Sequence, residues 1–138
     1  MLEVLQAGLE TSIQDYPGRI GFWNQGFPPS GPLDSWSFRL ANLLVGNEAG
    51  AAGLEAQYMG PTLKFRRDAI IAVTGADMQP KLDGQPLPMW ESVAVRAGQT
   101  LAMDFSKCLS RSYPLPGSWA RRPNAAIRRL TPRSYLHY

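Results

Sequence analysis

Glycine and proline interrupt this chain so often that they limit what it can fold into. Thirteen glycines and twelve prolines fall within 138 residues. Each proline removes a backbone donor and each glycine weakens a helix interior, so short strands joined by turns are favoured over a helical bundle. The length suffices for one compact domain with a buried core but not for a large multidomain enzyme. A mainly β fold is expected.

The hydropathy pattern supports this expectation. Val4 opens a short apolar segment closed by Gly8, and Thr11–Gln14 reads as a second strand before the turn Asp15-Tyr16-Pro17-Gly18. Leu54, Ala56 and Tyr58 alternate with Glu55 and Gln57, and Leu63 and Phe65 alternate with Lys64 and Arg66, as in half-buried strands. The apolar run Ala69–Val73 fits a central strand, and Asp83-Gly84 suits a tight hairpin. Val93 and Val95 form another strand, and Leu101, Met103 and Phe105 share one face of the next. Seven or eight such strands predict a closed or nearly closed β barrel, because closure removes exposed sheet edges.

One helix is expected, over about 34–46. Asp34 is a good N-cap, Gly46 a good terminator, and Trp36, Leu40, Leu43 and Leu44 recur at the spacing of a buried face. Ser35, Arg39 and Asn42 then form a polar stripe.

Charge divides the chain. All eleven acids lie in residues 1–105 together with seven bases, whereas residues 106–138 hold seven bases and no acid. The sequence therefore reads as a domain over 1–105 followed by an irregular, disordered basic tail over 106–138. The net charge of +3 describes neither part, and specific nucleic-acid binding is not indicated. No run approaches the roughly 18 apolar residues of a membrane span, and the N-terminus lacks signal-peptide character, so a soluble cytoplasmic protein is expected. A single cysteine, Cys108, and a single histidine, His137, leave no material for a His/Cys metal constellation.

Two loops hold the candidate chemistry. Gln14, Asp15 and Arg19 bring an amide, a carboxylate and a guanidinium to the end of a strand, a combination suited to a carboxylate, phosphate or amide ligand. The competing reading is an internal Asp15–Arg19 ion pair that closes the turn. The second loop runs from Asn24 to Asp34 and includes Ser30 and Gly31. It lacks the Gly-Lys-Ser/Thr of a phosphate-binding loop, and Ser30 lacks a histidine partner, so neither a P-loop nor a Ser–His nucleophile can be derived. Arg39 and Asn42 are placed to meet the two loops from the helix. Glu55, on the outward side of its strand, can be read as a buried acid or an exposed one, and the exposed reading is favoured because unpaired buried carboxylates are rare.

The ordered series Thr11-Ser12-Ile13-Gln14-Asp15, Gly18-Arg19-Ile20-Gly21, Ser30-Gly31-Pro32-Leu33-Asp34, Arg39–Asn47 and Gly60-Pro61-Thr62-Leu63 resembles the start of the 5-oxoprolinase C subunit, also called allophanate hydrolase subunit 2. That family is related to the carboxyltransferase part of urea carboxylase. Val73–Asp77 and Val95–Leu101 extend the similarity to about residue 105. The family pattern has Gly-Ala-Met-Asp where this chain has Gly31-Pro32-Leu33-Asp34, and its members run to more than twice this length. The loss of similarity near Ser106 suggests a truncated or frameshifted product, with exposed apolar surface, poor solubility or dimerisation expected of it. The resemblance implies a cyclophilin-like β barrel and an ATP-dependent hydrolase that opens 5-oxoproline to glutamate, using ATP with magnesium and partner subunits B and A. Under it, Gln14, Asp15 and Arg19 would be catalytic, and Ser30, Gly31, Asp34, Arg39 and Asn42 would bind a small-molecule substrate. Two alternatives are a biotin-dependent carboxyltransferase acting on urea or a similar amide, and a noncatalytic module antagonising a kinase inhibitor. No Ala-Met-Lys-Met biotin-attachment sequence occurs, so a biotin carrier would lie elsewhere.

Overall fold

The computed structural model describes residues 2–105 and 124–129. Within them lie strands β1 (Leu2–Gln6), β2 (Glu10–Gln14), β3 (Gly53–Gln57), β4 (Thr62–Phe65), β5 (Ala69–Thr74), β6 (Lys81–Leu82), β7 (Gln85–Pro86), β8 (Ser92–Val95), β9 (Thr100–Ala102) and β10 (Asn124–Arg129). The α-helix α1 spans Ser35–Leu44, and a 3₁₀ turn covers Trp23–Gln25.

The strands form two five-stranded antiparallel sheets, ordered β1-β4-β9-β6-β7 and β2-β3-β10-β5-β8. The expected mainly β fold with one helix is present, but the sheets do not close into one barrel. β1 and β2, consecutive in sequence, pair in different sheets, and among the described residues each sheet keeps two edge strands. The expected hairpin turn is found at Asp83-Gly84, with φ of 49° and 81°, joining β6 to β7.

Residues from both sheets build the main core. Leu63 and Phe65 of β4 and Leu101 of β9 pack with Ile71 and Val73 of β5, Val95 of β8 and Ala125 of β10. Each buried side chain of the size of Ile71 or Leu101 contributes about 1.5–3 kcal/mol. A second cluster joins Ala41 and Val45 of α1 to Ala72 of β5 and Ala126 of β10. β5 is therefore covered on both faces, which explains why its run is continuously apolar instead of alternating.

Three further expectations need correction. Residues 124–129, assigned from composition to an irregular tail, form β10, which pairs with six residues of β5 and two of β3 at the centre of its sheet. Only three apolar residues, Ala125 to Ile127, lie in this segment, too few for a periodic signal, and its partners are distant in sequence. The rest of the expected disordered tail lies outside the described residues.

The helix presents a different face from the one its large apolar residues suggested. Ser37, Phe38, Ala41, Asn42 and Val45 are buried, while Trp36 and Leu43 are exposed. Small residues allow close approach to the sheet: Ala41 meets Ala72 and Ala126, and Phe38 lies against Gly53, where an added Cβ would come within 3.0 Å of its ring. Third, Glu55 is buried and not exposed. Alternation along β3 is real, with Ala56 turned to the main core, but the opposite face is covered by the chain ahead of α1.

Candidate functional site

The turn after β2 and the long loop before α1 are knitted together by backbone contacts that glycine permits. The Arg19 N–H donates to Ser30 Oγ at 3.0 Å, and the Ser30 N–H donates to the Arg19 carbonyl at 3.2 Å. Gly18 has φ of +78°, and a Cβ there would fall 2.1 Å from the Ser30 carbonyl oxygen. A third segment joins them through the Tyr16 N–H, which donates to the Gly50 carbonyl at 3.2 Å.

Arg19 serves this scaffold. Its Nε and Nη2 donate to the Pro28 carbonyl at 3.3 and 3.2 Å, and its guanidinium lies 5.5 Å from the centroid of the Phe27 ring. No ion pair joins Arg19 to Asp15 among the described residues, so the turn is closed by backbone and carbonyl contacts instead. Asp15 itself is exposed. Gln14 is half-buried and donates from Nε2 to Ser12 Oγ at 2.9 Å.

The helix supplies Arg39, whose guanidinium sits 5.0 Å from the centroid of the Tyr16 ring. Asp34 and Asn42 have other partners. The Asp34 carboxylate accepts from the Ser37 N–H at 3.1 Å and the Ser37 hydroxyl at 2.6 Å, capping α1. Asn42 is fully buried; its Nδ2 donates to the Ala51 carbonyl at 2.7 Å, and its Oδ1 accepts from Asn47 Nδ2 at 3.1 Å. It anchors the chain after α1 and does not belong to a solvated stripe.

The structure thus gathers Asp15, Arg19, Ser30, Gly31 and Arg39 around one loop junction, with Gln14 at its base in β2. Sequence reasoning gave no role to Tyr16, although its position beside Asp15 in a loop rich in polar candidates was a usable signal. For Glu55 the less favoured, buried reading is the one found: its Oε1 accepts from the Leu33 N–H at 2.9 Å and fixes the loop over β3. A lone acid at an otherwise well-patterned strand position gave no sign of that cover.

The chain between β2 and the first turn of α1 carries exposed aromatic and aliphatic side chains. Ile20, Phe22, Trp23, Phe27, Leu33 and Trp36 are all exposed, and Trp36 contacts Trp90 with ring centroids 5.9 Å apart. A separate cleft of about 460 Å³ lies beside the β6–β7 hairpin, lined by Asp77, Lys81, Leu87 and Met89 among others. None of the residues singled out above lines it. Among the described residues no group of three or more His, Cys, Asp or Glu side chains is placed to hold a metal ion. Among them, too, no helix is long and apolar enough to cross a membrane.

Residues 25–114 match the family described as the carboxyltransferase domain, subdomain A and B. The chain belongs to the carboxyltransferase-domain family. It is 46% identical over 112 residues to the urea amidolyase of Saccharomyces cerevisiae, covering 81% of this chain and 6% of that protein. It is 38% identical over 113 residues to the 5-oxoprolinase C subunit of Escherichia coli, covering 82% of this chain and 36% of the relative. The solved structure of the Kluyveromyces lactis urea carboxylase superposes with a TM-score of 0.78 at 38% identity, covering 91% of this chain and 10% of that one. This chain therefore spans well under half the length of each of these carboxyltransferase-domain relatives.

Proposed function

We propose that this chain supplies the amide-recognising loops of a small-molecule enzyme of the carboxyltransferase-domain type. The observation that carries this reading is the two-way Arg19–Ser30 hydrogen bonding, which joins the turn after β2, where Asp15 lies, to the loop before α1, while Arg39 sits over the ring of Tyr16 in the same turn. An exposed carboxylate can accept from an amide N–H, the Ser30 hydroxyl keeps its own proton to donate to an amide carbonyl, and a cation can neutralise developing charge. Holding these groups on glycine-pinned loops fixes the amide with little reorganisation.

Two reactions suit such a site, and relatives of both kinds are similar to this chain. The first opens 5-oxoproline to glutamate in an ATP-dependent assembly with subunits B and A. The second carboxylates urea or a similar amide, with biotin carried elsewhere. For the first reading we assign ATP with magnesium to the assembled complex and not to the described residues alone. There is no glycine-rich phosphate cradle ahead of α1, Asp34 already caps that helix, and no acidic cluster is placed for the metal. Under the first reading nucleotide binding falls to the partner subunits. A noncatalytic regulatory role is the third reading.

Combining the full chain with subunits B and A, and separately with a biotin carboxylase and carrier, tests the proposal. ATP-dependent glutamate release supports the hydrolase reading, and biotin-dependent urea carboxylation supports the transferase reading. Partner binding without amide binding or turnover supports the regulatory role and overturns the proposed amide site.

A further inference from the structure

The two arginines at the loop junction are in different chemical situations. Arg19 has Nε and Nη2 engaged by the Pro28 carbonyl and is fixed beside Phe27. Arg39 is exposed, and among the described residues no hydrogen bond or ion pair engages its guanidinium. Its contact is with the Tyr16 ring at 5.0 Å. A guanidinium held over an aromatic ring has one face covered and its N–H groups pointing outward in its own plane, the arrangement that meets a planar pair of oxygens. Lysine, a compact point charge, cannot reproduce that fork.

We infer that Arg39, oriented by Tyr16, is the residue that reads a carboxylate on the ligand of this site, and that Arg19 is part of the scaffold. The inference rests on the proposed amide-binding reading and deepens it by naming the residue that takes the ligand's anionic group. Tyr16 acts as a positioning residue. It is held in turn by its own N–H on the Gly50 carbonyl, and a Cβ on Gly50 would lie 2.4 Å from the Tyr16 carbonyl oxygen.

The test is a titration of the full chain with oxamate, a stable molecule holding an amide and a carboxylate together, read on the arginine Nε–Hε resonances by NMR. A single exposed fork supports a Kd on the order of 1–10 mM. The expected result is a saturable shift of the Arg39 resonance, with that of Arg19 unmoved and acetamide, which lacks the carboxylate, giving a much weaker response. Arg39→Gln should abolish the response, and Arg39→Lys should weaken binding by about tenfold. Tyr16→Phe should retain the affinity, because the ring remains, whereas Tyr16→Leu should lose several-fold at unchanged thermal stability. A shift at Arg19 instead of Arg39, unchanged affinity in Arg39→Gln, equal binding of inorganic phosphate, or no saturable shift in the wild-type chain would each overturn the inference. Oxamate binding at Arg39 in a chain whose assembled enzyme turns over neither 5-oxoproline nor urea would leave the inference standing and count against the proposed function, so the two failures are distinguishable.

Discussion

Glu55 accepts a hydrogen bond from the backbone N–H of Leu33 at 2.9 Å, tying the middle of β3 to the loop that leads into α1. This bond crosses 22 positions of sequence and is made by a carboxylate only 2% exposed. Replacing Glu55 with alanine strips the loop of its acceptor and should cost on the order of 1–3 kcal/mol in urea unfolding. Glu55→Gln keeps a carbonyl oxygen in place and should lose less. Equal stability of the alanine variant and the wild type would show that the tie is not needed.

Asp34 caps α1 through two hydrogen bonds, both to Ser37. Asp34→Ala should destabilise the chain by about 1 kcal/mol, and Asp34→Asn by distinctly less. Thermal melts of the two variants at neutral pH check the order.

Gly18→Ala should be severe for its size. The residue has a left-handed φ, and the added methyl meets the Ser30 carbonyl. A loss of about 2 kcal/mol is expected, along with altered backbone amide shifts at Arg19 and Ser30. Retention of the wild-type spectrum at both residues would contradict the contact.

Asp83 gives a pH dependence of known sign. Its carboxylate accepts from the Thr100 N–H at 2.8 Å and from Gln99 Nε2 at 2.9 Å, and these bonds hold its pKa below the ordinary value of 3.8, the Thr100 contact being the larger cause. A carboxyl with a depressed folded-state pKa stabilises the protein above the unfolded value and loses that contribution as pH falls through the folded one. Asp83→Asn should therefore be less stable than the wild type near neutrality, with the gap closing below about pH 4. A gap that stays constant through the acid limb would refute the assignment.

Ala126 of β10 sits opposite Ala72 of β5 and beneath α1. Ala126→Leu should overpack the space between helix and sheet and cost about 1–3 kcal/mol, whereas Ala126→Gly should cost less through packing. Unfolding followed by fluorescence and by circular dichroism, with coincident transitions, provides the measurement.

Much of the β architecture was legible in local pattern. The Asp83-Gly84 hairpin follows from the backbone freedom of its two turn residues, the interior position of β5 from its unbroken apolar run, and the helix start from Asp34. The buried face of α1 was not legible, because large residues such as Trp36 and Leu43 carry the strongest hydropathy signal while small ones such as Ala41 allow the close approach to Ala72 and Ala126. At the site, the polar content of the Asp15–Arg19 and Asn24–Asp34 loops was visible as composition. The difference between Arg19 and Arg39 was not, since nothing in the sequence indicates which guanidinium a distant carbonyl will engage.

Local residue preferences were enough to set roughly where most strands lie, where α1 is capped and which loops are too rich in glycine and proline to be regular. These features depend on φ preferences and on neighbours within a few residues. It took the folded chain to bring β10 into the space between β3 and β5, to cover Glu55, and to rest Arg39 on Tyr16 while Pro28 engages Arg19. Each of those outcomes depends on contacts between segments separated along the chain, where packing and hydrogen-bond satisfaction outweigh local preference.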